Sequence, residues 1–316
     1  MYYFIINPTS RSGLGKKYWK RVKPLLEEKQ IEYQAIFSKK IGHTERIMKE
    51  LCEEAKGEKI HVVILGGDGT VNEAIQGIDD FGKVDISYIP TGSSNDLARD
   101  MGISREPEEA LEGILKASRE AYMDMGLLRY EKAYKNGKEV SIKDRRFMVG
   151  CGMGFDAAVC QEANASGVKS LLNRLKLGKL TYLGIALKQL IGMKLVPVTI
   201  TLDGKQTIQM KDLFFAVGMV HRYQGGGMLF CPEAKRDDGM LDFCVASNAS
   251  KFRVLWILPT IYKGKHVVYP EVSMYRAKEA ILESEIPLWV HTDGEVKVQA
   301  TTIRLSDLGE KIHFIF

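Results

Sequence analysis

The sequence predicts two architectures in series, a parallel, doubly wound α/β region followed by an antiparallel β-sandwich. Three observations carry the prediction. Up to about residue 118, short β-branched runs alternate with amphipathic helical patterns. Residues 60–65, IHVVIL, form a nearly continuous apolar run, the mark of a strand covered on both faces of a parallel sheet. Beyond residue 124, strand patterns follow one another across polar turns such as Asn136-Gly137 and Asp203-Gly204. The chain has 316 residues, which suits two domains of about 100 to 200 residues each. The predicted boundary gives residues 1–124, joined by a returning segment 306–316, and residues 125–305.

The elements follow in order. Residues 2–6 read as a buried strand, then NPTSRSG leads into a basic amphipathic helix over about 16–29. Residues 31–37 give a second strand, Gly42-His43-Thr44 a turn and cap, and 45–56 a second helix. The third unit joins strand 60–65 to helix 70–75 through GGDG. Gly66, Gly67 and Gly69 are expected to take positive φ and to bring backbone N–H groups at a helix start close to a ligand, an anion site. Asp68 within it would repel a phosphate unless a cation such as Mg²⁺ bridges the two. The alternative is a tight turn with a solvated carboxylate. Residues 84–89 form the fourth strand, ended by Pro90. TGSSNDLARDMGI then enters a short helix with Asn95 and Asp96 at its start. In a doubly wound sheet the ligand lies at the carboxyl ends of the strands, so Asp68 and Asp96 belong at one crevice.

Two familiar phosphate loops are excluded. Gly13-Leu14-Gly15-Lys16-Lys17 has no hydroxyl after its lysine, as a Walker A loop requires, and Asn72 follows Gly69 where GxGxxG needs its third glycine near.

In the second region, strands are expected near 146–151, 197–202, 213–220, 241–246 and 286–291. One segment interrupts them. Residues 163–202 hold no acidic residue, while Lys169, Arg174, Lys176, Lys179, Lys188 and Lys194 lie among leucines at spacings of three and four. That reads as one or two amphipathic helices with a basic face, for a membrane surface or merely solvated above the sandwich. Near the end, LWVHTDGEVKV reads as a hairpin about Asp293-Gly294, with Glu295 next to it.

Composition sets outer limits. With 45% hydrophobic and 27% charged residues the chain is neither disordered nor a coiled coil. A net charge of +5 suits an anionic substrate or membrane surface and is too weak to argue for nucleic acid. Cys52, Cys151, Cys160, Cys231 and Cys244 contain no CxxC pair, so reduced thiols in a cytoplasmic protein are expected, with no zinc. The opening MYYFIINPTS is no secretory leader, and no apolar window of about 18 residues is present, so neither secretion nor a spanning helix is expected.

NPTSRSG, GGDGTVNE, PTGSSNDLAR, GMGFDA, GGGMLFCPEAKRDDGMLD and DGE together resemble the bacterial diacylglycerol kinase and lipid kinase family, in order and along nearly the whole chain. GGDGT is shared with sphingosine kinases, NAD kinases and 6-phosphofructokinases; the later blocks narrow the resemblance to the lipid branch. It implies a Rossmann-like N-terminal domain of the NAD kinase and diacylglycerol kinase type, a C-terminal β-sandwich, and ATP bound in the cleft between them. Carried over by position, the nucleotide site uses Asn7, Pro8, Thr9, Ser10, Arg11, Ser38, Gly66, Gly67, Asp68, Gly69, Thr70, Val71, Asn72 and Ser93. Ser38 and Ser93 replace the family's usual threonine and keep its hydroxyl. The proposed proton acceptor falls on Glu295, although Asp293 is chemically suited as well. A structural Mg²⁺ site falls on Lys235, Asp238 and Met240, of which only Asp238 brings a carboxylate.

The implied reaction is phosphoryl transfer from ATP to a membrane lipid hydroxyl, diacylglycerol first, at the cytoplasmic face of the inner membrane, by a homodimer. Phosphatidylglycerol or a sphingoid base is the alternative acceptor, and a nucleotide sensor without turnover the alternative class. A pure binder has no need of a base, so Asp68, Asp96 and Glu295 speak for the enzyme.

Overall fold

The structure, a computed structural model, describes residues 1–165 and 178–316. The chain forms two compact units, residues 1–125 with 309–316, and residues 126–308.

In the first unit β1 (Tyr2–Ile6), β2 (Tyr33–Phe37), β3 (Ile60–Gly66) and β4 (Val84–Pro90) lie in the order β2-β1-β3-β4, all parallel. Phe4, Ile5, Ile6 and residues 62–65 have no exposed surface, so the apolar runs are strands covered on both faces. The intervening helices are α1 (Ser10–Glu28), α2 (His43–Glu54), α3 (Asp68–Gln76), α4 (Asp96–Met101) and α5 (Pro107–Lys116). In α2 the buried Thr44, Ile47, Met48 and Leu51 recur every three or four residues, the stripe that seats a helix on a sheet. The start of α1 is broken, because Arg11, Ser12 and Gly13 take φ of 42°, 59° and 92°. From β1 the sheet grows one way to β2 and the other way to β3. The carboxyl ends of β1 and β3 therefore flank a topological switch point.

The second unit is antiparallel. It takes in β5 (Glu120–Lys135) from residue 126, then β6 (Lys138–Val140), β7 (Arg145–Phe147), β8 (Gly150–Gly154), α6 (Phe155–Ala165) and α7 (Gly178–Gly192). After these come β9 (Val196–Leu202), β10 (Gln206–Met219), a small hairpin of β11 (Tyr223–Gln224) with β12 (Met228–Leu229), and β13 (Leu241–Ser247). A short helix, α8 (Lys251–Ile257), precedes β14 (Val272–Ala277), β15 (Glu279–Thr292) and β16 (Glu295–Ile315). The sheet order is β14-β13-β10-β8-β15-β16, with β9 beside β10 and β15, and β5 beside β16, β6 and β7. Its core includes Phe215, Val217 and Met219 of β10 and Cys244 and Ala246 of β13, alternate positions along each strand. The last residues of β16 belong to the first unit, where His313 pairs with Asp85 parallel to β4.

Of the basic pattern read in residues 163–202, Lys169, Arg174 and Lys176 lie outside the described residues. Lys188 is ion-paired with Glu162, just before the acid-free stretch, and Lys194 is exposed.

Candidate active site

Four strand ends bring the predicted nucleotide residues together in the first unit. Asn7 follows β1, Ser38 follows β2, Gly66 ends β3, and Ser93 lies three residues beyond β4. The β1 and β3 loops are tied by Asn7, whose Nδ2 donates to Thr70 Oγ1 at 3.1 Å. Asn7 Oδ1 accepts from the Thr9 N–H at 3.2 Å and the Thr9 hydroxyl at 3.0 Å, which folds NPTS back on itself. Ser10 Oγ lies 2.6 Å from Thr91 Oγ1, linking this loop to the β4 loop. Pro8 is half-buried, while Thr9, Arg11 and Ser93 are exposed. Val71 and Asn72 are buried side chains of α3, and Ser38 donates its N–H to the Ile6 carbonyl at 2.9 Å.

The glycines of GGDG serve a different purpose from the one expected. None of Gly66, Gly67 and Gly69 has positive φ, and Gly67 is extended at φ −108°. Close approach requires two of them: a Cβ on Gly66 would lie 2.5 Å from the Thr70 Cβ, and one on Gly67 3.0 Å from the Gly92 Cα, whereas one on Gly69 would meet open space. Two loops thus touch through backbone alone. Asp68 opens α3, and its Oδ2 accepts the Asp96 N–H at 2.8 Å. Its Oδ1 lies 3.3 Å from the hydroxyl of the buried Tyr88, which also reaches Asn95 Oδ1 at 3.2 Å. Burial, with the Asp68 carboxylate beside it, pushes the Tyr88 phenol well above its ordinary pKa, so Tyr88 remains a donor. Asp96 is 2% exposed at the start of α4, with Arg99 Nε 3.9 Å from its Oδ1. Asp68 and Asp96 meet as the sequence predicts.

Asp293, Gly294 and Glu295 lie in the second unit. Asp293 and Gly294 take φ of 48° and 81°, the two-residue turn that Asp-Gly favours, and Thr292 pairs with Glu295 across it. Asp293 accepts three backbone N–H groups, Met148 at 3.0 Å and Val149 and Gly150 at 2.9 Å each, so it anchors the turn to the segment leading into β8. Glu295 Oε2 accepts from Arg145 Nη2 at 2.7 Å. Behind the turn, His291 Nδ1 accepts the Gly294 N–H at 3.3 Å, which makes Nε2 the protonated nitrogen that donates to Asp156 Oδ2 at 2.7 Å. His291 has no exposed surface and Asp156 is 9% exposed at its side chain. The sequence offers no sign of this support, since Asp156 figures there only as part of the GMGFDA block.

The hard carboxylate oxygens of Asp68 and Asp96 are donors of the kind Mg²⁺ takes. Asp238 accepts the Met240 N–H at 3.2 Å and is ion-paired with Arg276, so a cation at Lys235, Asp238 and Met240 would compete with a guanidinium. Among the described residues no three His, Cys, Asp or Glu side chains cluster closely enough to hold a metal.

An α/β unit with donor-rich loops at its switch point, joined to an antiparallel sandwich that carries a buttressed carboxylate, defines a two-domain kinase. A family model described as the diacylglycerol kinase catalytic domain matches residues 1–127, and one described as the YegS C-terminal NAD kinase beta sandwich-like domain matches residues 150–305. A diacylglycerol kinase of Mycobacterium tuberculosis is 32% identical over 237 residues, 74% of this chain and 70% of that protein. A diacylglycerol kinase of Staphylococcus aureus is 27% identical over 297 residues, 92% and 84% of the two chains. Two solved structures share the fold: a diacylglycerol kinase of Bacillus anthracis (TM-score 0.66, 20% identity, 100% and 96% covered) and an NAD kinase of Archaeoglobus fulgidus in complex with ATP (0.53, 12%, 100% and 94%). The chain belongs to the diacylglycerol kinase family of lipid kinases.

Proposed function

We propose that this kinase transfers the γ-phosphoryl group of ATP to the hydroxyl of diacylglycerol, giving phosphatidic acid. The observation that carries the reading is the tie between Asp68 and Asp96, whose backbone N–H donates to the Asp68 carboxylate at 2.8 Å, among loops from β1, β3 and β4 that are rich in N–H and hydroxyl donors. Phosphoryl transfer asks for positioning and charge neutralisation more than for covalent chemistry. The loop after β1 and the start of α3 offer donors to the phosphates. Mg²⁺, held by Asp68 and Asp96, would neutralise charge on the phosphate oxygens.

The acceptor oxygen attacks the γ-phosphorus, the bond to the bridging oxygen breaks, ADP leaves, and the hydroxyl proton passes to a carboxylate. Glu295 suits that step better than Asp293. Three backbone N–H groups commit Asp293 to holding the turn, whereas Glu295 accepts from the side chain of Arg145 at 2.7 Å. Relatives named diacylglycerol kinase support the choice of acceptor.

Radiolabelled ATP offered with diacylglycerol, phosphatidylglycerol and a sphingoid base tests the reading. Label in phosphatidic acid is expected. Label only in another lipid changes the acceptor, and no transfer to any lipid overturns the proposal in favour of a nucleotide sensor.

A further inference from the structure

The segment 251–268, KFRVLWILPTIYKGKHVV, contains no acidic residue and four cations, Lys251, Arg253, Lys263 and Lys265. Its inner side is core: Val254 and Ile257 are 5% exposed, Ile261 2%, and His266 is buried with Nε2 2.9 Å from the Phe230 carbonyl. That side fixes the segment on the second unit. The outer side carries Phe252 at 85%, Trp256 at 72%, Tyr262 at 54% and Val268 at 76% exposure. Phe252 and Trp256 stand one turn apart on α8, on one face of the helix. Soluble proteins seldom leave such large apolar side chains grouped in water, so this surface calls for an occupant.

The charges and the aromatic type say which one. Lys263 and Lys265 are exposed beside the aromatics, and no carboxylate within the segment neutralises them. Trp and Tyr favour the membrane–water interface, where the ring is buried and its polar edge stays wet, and basic residues beside them meet anionic headgroups. The segment is also joined to the other acid-free stretch, residues 163–202, because Lys251 Nζ donates to the carbonyls of Ile191 at 2.6 Å and Met193 at 3.0 Å. Ile191 is itself 75% exposed. Arg253 is paired with Glu271 at 2.8 Å and Lys251 is engaged by those carbonyls, so the charge offered outward is that of Lys263 and Lys265; an anionic bilayer answers both alike, whereas a protein partner would be expected to make contacts of mixed sign.

We propose that the outer side of residues 251–268 is a membrane-docking surface, with Phe252 and Trp256 inserted at the headgroup boundary and Lys263 and Lys265 against anionic lipid. The proposal rests on the lipid-kinase reading for its purpose, since a diacylglycerol substrate stays in the bilayer. It does not rest on turnover for its test. The surface differs from the basic face read in residues 163–202 in that aromatic insertion, and not charge alone, holds the protein on the membrane.

The test measures flotation of the full chain with vesicles of phosphatidylcholine alone and of phosphatidylcholine mixed with phosphatidylglycerol, without ATP. F252S/W256S is expected to lower partitioning onto both by roughly tenfold, the effect of about 1.4 kcal/mol of lost apolar burial. K263E/K265E is expected to lower it by about tenfold or more on the anionic vesicles only. Brominated acyl chains should quench Trp fluorescence in the wild type, and W256F should lose that quenching. All of these side chains are exposed, so the variants are expected to fold and to phosphorylate a soluble short-chain diacylglycerol at the wild-type rate. Unchanged flotation of both double variants overturns the proposal, and so does wild-type protein that binds neither vesicle. If F252S/W256S instead abolishes self-association in sedimentation velocity without vesicles, the face belongs to a second copy of the chain and the proposal fails. Vesicle binding through this face by a wild type that phosphorylates no lipid would leave the surface standing while the reading of function falls.

Discussion

At the scale of single residues, two carboxylates and a histidine separate chemistry from support. Glu295→Gln keeps size and hydrogen bonding to Arg145 while removing the base, so kcat is expected to fall by about 10²- to 10⁴-fold with ATP affinity unchanged by calorimetry. Wild-type turnover in that variant would move the role to Asp293. Asp68→Asn presents an amide where the Asp96 N–H and the Tyr88 hydroxyl both donate to a carboxylate, and it removes the negative charge at position 68. Its expected signature is weaker Mg·ATP binding, read by the same calorimetry. His291 acts through the turn and touches no reacting atom. His291→Ala frees the Gly294 N–H and leaves Asp156 without its donor, so kcat should fall about tenfold with KM held, whereas Asp156→Asn, which still accepts from Nε2, should retain most activity. Equal losses in both variants, tracking a fall in melting temperature, would reduce His291 to a purely structural residue.

At the scale of elements, the return of β16 to the first unit depends on a short polar chain. Ser87 Oγ donates to the Ile315 carbonyl at 2.6 Å, and His61 Nε2 lies 2.7 Å from the same Oγ, so His61 is held as the neutral donor. Burial is the main cause that lowers its pKa from 6.5 to about 4, with Asp85 opposing and His313 and Lys59 assisting. The sign follows directly. Below pH 6.5 the unfolded chain takes up a proton that the fold refuses, so stability falls as pH drops from 6.5 to about 4 and the loss is complete below that. The contribution is on the order of 2–3 kcal/mol, and His61→Gln, which keeps an N–H donor, should flatten that part of the urea-unfolding profile. Elements of this kind divide what the sequence shows from what it hides. The strand β3 and the helix after it are legible because an apolar run and a helical period are local. The purpose of Gly66 and Gly67 is not, because Thr70 and Gly92 set it through contacts that only the folded loops make. Asp293 reads as a turn residue from Asp-Gly alone, yet its three donors come from residues 148–150, far away in sequence. Nothing local in the sequence marks Phe252 and Trp256 as exposed, and only the fold shows them facing out.

For the whole molecule, the proposed function would require the chain to reach a substrate dissolved in a bilayer. Among the described residues no helix is long and apolar enough to cross a membrane. The net charge of +5 is modest, but its distribution is uneven, since residues 163–202 hold six lysines and arginines and no acid. Glu162 takes one of these charges by pairing with Lys188, which leaves the sequence positions 169, 174, 176 and 179 as the concentrated part of the basic pattern. Each basic residue near an anionic surface contributes about 1 kcal/mol, and salt screens the attraction over about 10 Å at 0.1 M. Lys176→Glu/Lys179→Glu should therefore weaken sedimentation with anionic vesicles at low salt, and the difference from wild type should shrink as salt is raised. ATP affinity should not change, because the phosphate loops lie in the other unit. Binding to neutral vesicles should not change either, which separates this charge-driven contribution from the aromatic one. Sedimentation that is the same for variant and wild type at every salt concentration would make the basic segment structural and leave membrane contact to other surfaces.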